Sequence, residues 1–221
     1  MKKEIVKKLA IVTIFAIAMA FLESAVVIYL RTIFYDGSFN FPLRGFTDSY
    51  ILNIEWIREL FTIVMLLAVA FFAGKKLYER FAYFIYAFAV WDIFYYIWLK
   101  AVIGWPSSLM AWDLLFLIPW AWIGPVLAPL IVSATLISLS FVILGRIGKG
   151  KSEKMDILEW ILFAGGMLLI LYTFIIDYGK LLFSNPELIA SYVPTRYNWA
   201  AFLIGEIMII YAIVNFYLRK K

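Results

Sequence analysis

Long apolar runs alternate along the chain with short clusters of basic residues, and the run lengths say what the runs are. Leu9–Leu30 carries a single charge, Glu23, and is preceded by Lys2, Lys3, Lys7 and Lys8. About 20 apolar residues in an α-helix rise far enough to cross a hydrocarbon core about 30 Å thick. The run therefore predicts a first membrane span. Runs at Trp56–Ala73, Phe81–Leu99, Trp122–Leu144, Ile157–Ile176 and Trp199–Leu218 predict five more. Arg31–Glu55 connects the first two, with turn signals at Asp36-Gly37, Pro42 and Gly45. Gly74 with Lys75, Lys76 and Arg80 closes the second span, and a turn around Gly104-Trp105-Pro106 follows the third. The expected fold class is all-α, a polytopic helix bundle forming a single transmembrane domain over residues 1–221. A cleaved signal peptide is the rival reading of the N-terminus, since Ala18-Met19-Ala20 resembles a cleavage site. The apolar run continues ten residues past Ala20, which favours an uncleaved span.

The stretch Leu109–Leu144 breaks the regular pattern. Its 36 residues are too many for one straight span and too few for two spans with a loop. Asp113, Pro119, Pro125 and Pro129 interrupt it, and proline lacks the amide hydrogen that a helix interior needs. The expectation is a short, partly inserted segment, Leu109–Pro119, leading into the fourth span, with the prolines forming a broken helix or a gate. Irregular backbone at membrane depth survives only where protein or a wet cavity satisfies it.

Composition strengthens the membrane reading: 65% of the 221 residues are hydrophobic, against about 45–50% in soluble domains. Charge adds an orientation. With the N-terminus in the cytoplasm, 14 of the 20 Lys and Arg residues fall on that side, as the positive-inside rule requires. Both termini are then cytoplasmic, and the formal charge of +5 has a membrane explanation with no call for nucleic acid. Trp56, Trp98, Trp105, Trp112, Trp120, Trp122 and Trp199 fall near the outer interface, like an aromatic belt. Cysteine and histidine are both absent. Haem ligation through histidine, zinc sites of the usual kind, thiol chemistry and His-dependent hydrolysis lose their residues. No cofactor is expected, and no phosphate loop or nucleophile elbow appears.

Ionisable groups within spans carry the functional signal, because each is costly in the bilayer. Glu23, Glu59, Asp92, Asp113 and Glu206 all fall in the outer half of the frame above. Glu23, Asp92 and Glu206 lie on three different spans and either converge on one binding site or are separately locked by Arg31, Arg58 or Arg196. Glu59 has a local alternative as an ion pair with Arg58, within a one-turn cluster that includes Glu55. Asp113 either joins the site or caps the helix that follows it. Tyr95 and Tyr96 lie three and four residues beyond Asp92, close enough on a helix to cover its carboxylate. Lys100 is read as extending outward from the same face, and Asp156 and Asp177 as solvated ends of the fifth span. Ala16, Ala20 and Ser24 form a small-residue stripe, and Gly205 stands beside Glu206; both predict close helix packing.

Three segments, Arg58–Gly74, Phe81–Lys100 and Trp105–Pro129, together with a fainter echo at Leu22–Arg31, resemble a family of small bacterial and archaeal polytopic membrane proteins without an assigned activity. The resemblance implies a prokaryotic plasma-membrane protein whose distinctive residues include Glu23, Arg31, Arg58, Glu59, Trp91, Asp92, Trp112, Asp113, Pro119 and Pro125. It implies no reaction.

The leading functional expectation is a small transporter or channel-like protein for a proton, a cation or a small polar solute. A non-catalytic subunit packing against partner membrane helices, or against a second copy, is the alternative. A third reading is an outer-leaflet lipid-processing enzyme built on paired carboxylates, since two acids in different environments can divide acid and base roles.

Overall fold

A computed structural model describes residues 2–35, 41–42, 49–152, 154–184 and 191–219. The turn signals Asp36-Gly37 and Gly45 lie outside these. The described residues form six α-helices: α1 (Lys3–Tyr35), α2 (Ser49–Ala73), α3 (Leu77–Ile103), α4 (Leu127–Gly148), α5 (Ile157–Ser184) and α6 (Trp199–Leu218). All six are long and apolar enough to cross a membrane. Five of them contain one of the runs expected to span, most extending beyond it by up to a few turns, whereas α4 starts at Leu127 and not at the expected Trp122, because Trp122–Pro125 forms a strand. The helices are longer because capping and tertiary packing, rather than apolarity, decide where a helix ends.

Cross-helix contacts fix the direction of each element. Lys8 pairs with Glu79 at 3.5 Å, Thr13 meets the Tyr86 hydroxyl at 2.8 Å, and Ser24 Oγ donates to the Tyr95 carbonyl at 3.2 Å. Residue numbers rise together, so α1 and α3 run parallel. α2 returns between them, with Arg58 against Glu23 and Lys75 near Glu4. α4 runs opposite to α3, since Ser133 bonds Asp92 while Phe141 packs on Tyr86. The start of α1 and the end of α6 therefore lie at one end of the bundle, called proximal below. The end of α1, the start of α2, the segment between α3 and α4, the end of α5 and the start of α6 lie at the distal end.

Small residues permit the closest approaches, as the stripe on α1 suggested. Ala16, Ala20 and Ser24 are fully buried. Ser24 Oγ also donates back to the Ala20 carbonyl, so its hydroxyl is satisfied without water. The tightest crossing joins α5 to α6. A Cβ placed on Gly166 would stand 2.6 Å from the Gly205 carbonyl oxygen, and one on Gly205 would stand 2.8 Å from that of Gly166. The obstacles are backbone atoms, so a side chain there separates the helices instead of merely turning a rotamer. Gly166→Ala is expected to destabilise the solubilised protein by about 1–3 kcal/mol, as overpacked cores do. Gly145→Ala, where nothing lies within 4 Å of the added carbon, should be nearly neutral in the same thermal unfolding comparison.

The proximal end is stitched by polar groups. Asp156 and Glu159 bond each other's backbone amides at 2.9 and 2.8 Å, the reciprocal arrangement that starts a helix. Buried Glu159 also pairs with Arg219 at 3.2 Å and accepts from Asn215. Arg146 donates to the carbonyls of Phe216 and Arg219. Asp156 is thus a cap with a partner, Arg219 at 3.1 Å, and not simply a solvated end. Asp177, by contrast, is exposed.

The segment before α4 corrects the expectation of a broken helix. It is an antiparallel hairpin, β1 (Trp112–Phe116) and β2 (Trp122–Pro125), with Trp112 opposite Pro125 and an irregularity between Leu114 and Phe116. Pro119 sits in the reversal between the strands, and Pro125 ends the second strand. Pro129 falls in the first turn of α4, where an amide hydrogen would have no acceptor within the helix. None of the three breaks a helix. The hairpin is held by the bundle: Trp122 stacks on Phe174 of α5 at 6.3 Å and 8°. Gly124 passes so close to Phe174 that a Cβ would stand 2.8 Å from the ring.

Candidate functional site

α1, α2, α3 and the hairpin enclose a cavity of about 140 Å³ toward the distal end. Helical rise places its depth: Asp92 lies about 18 Å along α3 from Arg80, and Glu23 about 22 Å along α1 from Lys8. These are positions well inside a hydrocarbon core about 30 Å thick. Five carboxylates line the cavity: Glu23 from α1, Glu55 and Glu59 from α2, Asp92 from α3 and Asp113 from β1. Among the described residues, two guanidinium groups, Arg31 and Arg58, line it with them.

The pairing is uneven. Arg31 Nη2 meets Asp113 Oδ1 at 3.3 Å, with side chains only 4% and 2% exposed. The Arg31 guanidinium lies 3.8 Å over the Trp105 ring, which supplies a polarisable face to a charge out of water. Asp113 therefore does not cap α4. It lies in the hairpin, outside the six spans, where burial pushes its carboxyl above the usual carboxylate range, up to about 6, while the Arg31 charge pulls it down. An acid raised in the folded state favours folding while protonated. That contribution is complete below its ordinary value near 3.8 and is lost as pH rises through about 6. Asp113→Asn should remove this dependence, so wild-type stability should fall relative to the variant between those two pH values in thermal unfolding. The opposite slope would mean that the Arg31 attraction outweighs burial.

Arg58 holds two acids at once, Glu55 Oε2 at 2.8 Å within its own helix and Glu23 from α1. Glu59 is not the ion-pair partner of Arg58 that adjacency in the sequence suggested. Its Oε2 accepts from the Leu117 backbone amide at 2.7 Å, satisfying a hairpin donor that the short ladder leaves over. Asp92 Oδ2 accepts from Ser133 Oγ at 2.7 Å. Among the described residues, no Lys or Arg forms an ion pair with Glu59 or Asp92. Tyr95 and Tyr96 line the same cavity, their rings 4.9 Å apart in an edge-to-face pair.

Glu206 does not converge with the others. It is buried on α6, with Oε2 accepting from Thr135 of α4 at 2.8 Å, and it does not line the cavity. α6 packs on α4 and α5, so Glu206 lies across α4 from the cavity. Arg196 is exposed in the segment before α6 and forms no ion pair among the described residues. Lys100 folds back onto the end of its own helix, donating to the Gly104 and Pro106 carbonyls at 3.0 and 2.9 Å.

Three contributors were not singled out as site residues by the sequence. Glu55 was visible only as part of a local charge cluster. Trp91 precedes Asp92 and stands one turn before Tyr95, so its place on the cavity face was readable from helical spacing once Asp92 was accepted. Ser133 carries no sequence signal, because it reaches Asp92 from a different helix. Among the described residues, no group of three or more carboxylates stands close enough together to hold a metal ion.

Among the described residues that line the cavity, five carboxylates against two guanidinium groups leave three formal negative charges if all are ionised. Each Arg is already engaged. An unpaired carboxylate inside a bilayer is unstable as such, so Glu59 and Asp92 require a proton or a mobile cation. Compared with known protein families, with curated proteins and with solved structures, the chain matches none. What stands is a protein of six apolar helices that cross a membrane and touch its lipid.

Proposed function

We propose that this chain is a small transporter or channel-like protein whose distal cavity takes up a proton, a cation or a small polar solute. The observation that carries the reading is the excess of acid: Glu59 and Asp92 line a cavity within the bundle, and no Lys or Arg among the described residues is paired with either. Arg31 and Arg58 act as clamps that hold the hairpin and α2 to α1, and Glu59 and Asp92 carry the exchangeable charge. The basic proximal end would lie in the cytoplasm, which places the cavity in the outer half of the plasma membrane.

The placement of the acids weighs against the subunit alternative. A subunit that used them to grip partner helices would present them to lipid, yet these carboxylates turn into their own bundle. Reconstitution tests the reading. Liposomes containing the protein should dissipate an imposed gradient of protons, a monovalent metal cation or a small organic cation faster than protein-free liposomes; equal rates for every solute offered would remove it.

A further inference from the structure

Resting on that reading, we infer that the cavity is built for an organic ammonium compound that also carries an oxygen acceptor, either a free amine or the headgroup of an aminolipid. Three features narrow the class. First, the carboxylates are dispersed. They come from three helices and a hairpin, and no three of the described acids are placed to chelate one ion. Divalent metal ions need six or more oxygens at about 2.0–2.6 Å. A ring of separated charges instead suits a larger cation whose charge is spread over several C–H and N–H groups.

Second, the wall between the acids is aromatic. Trp91, Tyr95 and Tyr96 line the cavity from α3, facing Phe34 and Tyr35 from α1. Aromatic faces attract alkylammonium groups because such cations are weakly hydrated and lose little on leaving water. A small, strongly hydrated ion gains less there.

Third, Trp91 Nε1 is a donor without an acceptor. Trp91 is 7% exposed, and among the described residues its indole nitrogen has no hydrogen-bond partner. The indole N–H can only donate, and leaving it buried and unmet is unfavourable. A hydroxyl, ether or ester oxygen on the ligand would meet it while the ammonium group lies against Asp92 and Glu59. Ethanolamine and choline have this pattern, alone or as lipid headgroups.

Titration calorimetry on detergent-purified protein stripped of aminolipid tests the inference with named probes. Choline and ethanolamine should bind, and sodium and magnesium chloride should give no comparable signal. Trp91→Phe should weaken choline about tenfold but leave tetramethylammonium, which has no oxygen, unchanged; that second probe also reports whether the variant is folded. Asp92→Asn should weaken both. Tighter binding of short-chain phosphatidylethanolamine than of free ethanolamine, with no binding of the matched phosphatidylglycerol, assigns the lipid source, and the reverse order assigns the free amine. Binding of sodium or protons without any ammonium compound would overturn the inference and leave the transport reading intact. Equal choline affinity in Trp91→Phe would also overturn it, and no binding by any probe would remove both.

Discussion

Arg58→Gln will destabilise the protein by about 3–5 kcal/mol, the loss seen when one partner of a buried ion pair is removed and the other remains. Among the described residues, Arg58 is the one cation that joins α1 to α2 at the cavity, because it touches Glu23 across the helix interface as well as Glu55 beside it. Both acids are largely buried, with side chains 13% exposed. Without the guanidinium, two carboxylates repel across a poorly solvated gap. The second half of the prediction separates pairing from packing. Glu23→Gln combined with Arg58→Gln should recover part of the loss, since it removes the repulsion between the two acids and leaves only Glu55 without its cation. Equilibrium unfolding of the wild type, both single variants and the double variant gives the coupling. Additive losses would mean that Arg58 acts through its alkyl stem and not its charge.

Asp92→Asn is the second large effect. Asp92 combines the features that matter: depth near the middle of the bundle, a single hydroxyl partner in Ser133, and no ion pair among the described residues. A charge-assisted contact in a desolvated site is worth about 2–3 kcal/mol, which corresponds to a fall in uptake on the order of 100-fold. Glu59→Gln should reduce uptake by a smaller factor, because half of its carboxylate already serves the Leu117 amide, and the amide side chain can keep that bond. Glu206→Gln should leave uptake within about twofold, since Glu206 stands outside the cavity against Thr135. Flux through liposomes carrying each variant orders the three. A Glu206 variant as impaired as the Asp92 variant would place the working acid on the other side of α4.

The parts of the fold that were readable share one cause. A span is a local property, set by about 20 consecutive side chains, so the six helices and the buried stripe Ala16, Ala20 and Ser24 followed from the sequence. The hairpin did not. Its prolines looked like helix breakers, whereas its stability comes from distant groups: Phe174 under Trp122 and Gly124, and Glu59 on the Leu117 amide. No window of sequence contains those partners. The site was readable in the same proportion. Depth in the membrane frame singled out Glu23, Glu59, Asp92 and Asp113, and these four line one cavity. Direction around a helix is decided by packing, and there Glu206 was grouped with acids it never meets. Pairing was the least readable of all, because adjacency joined Arg58 to Glu59 while the bundle joins it to Glu23.

The central claim is that Asp92 and Glu59 hold exchangeable positive charge. Infrared difference spectroscopy of the reconstituted protein, recorded between acid and alkaline pH and again with and without a cationic solute, observes carboxyl ionisation directly. The account predicts carboxyl signals that change under both exchanges, of which one disappears in Asp92→Asn and another in Glu59→Gln, while Glu206→Gln preserves both. A spectrum for Asp92→Asn identical to that of the wild type under both exchanges would contradict it, since Asp92 would then neither bind a cation nor trade a proton.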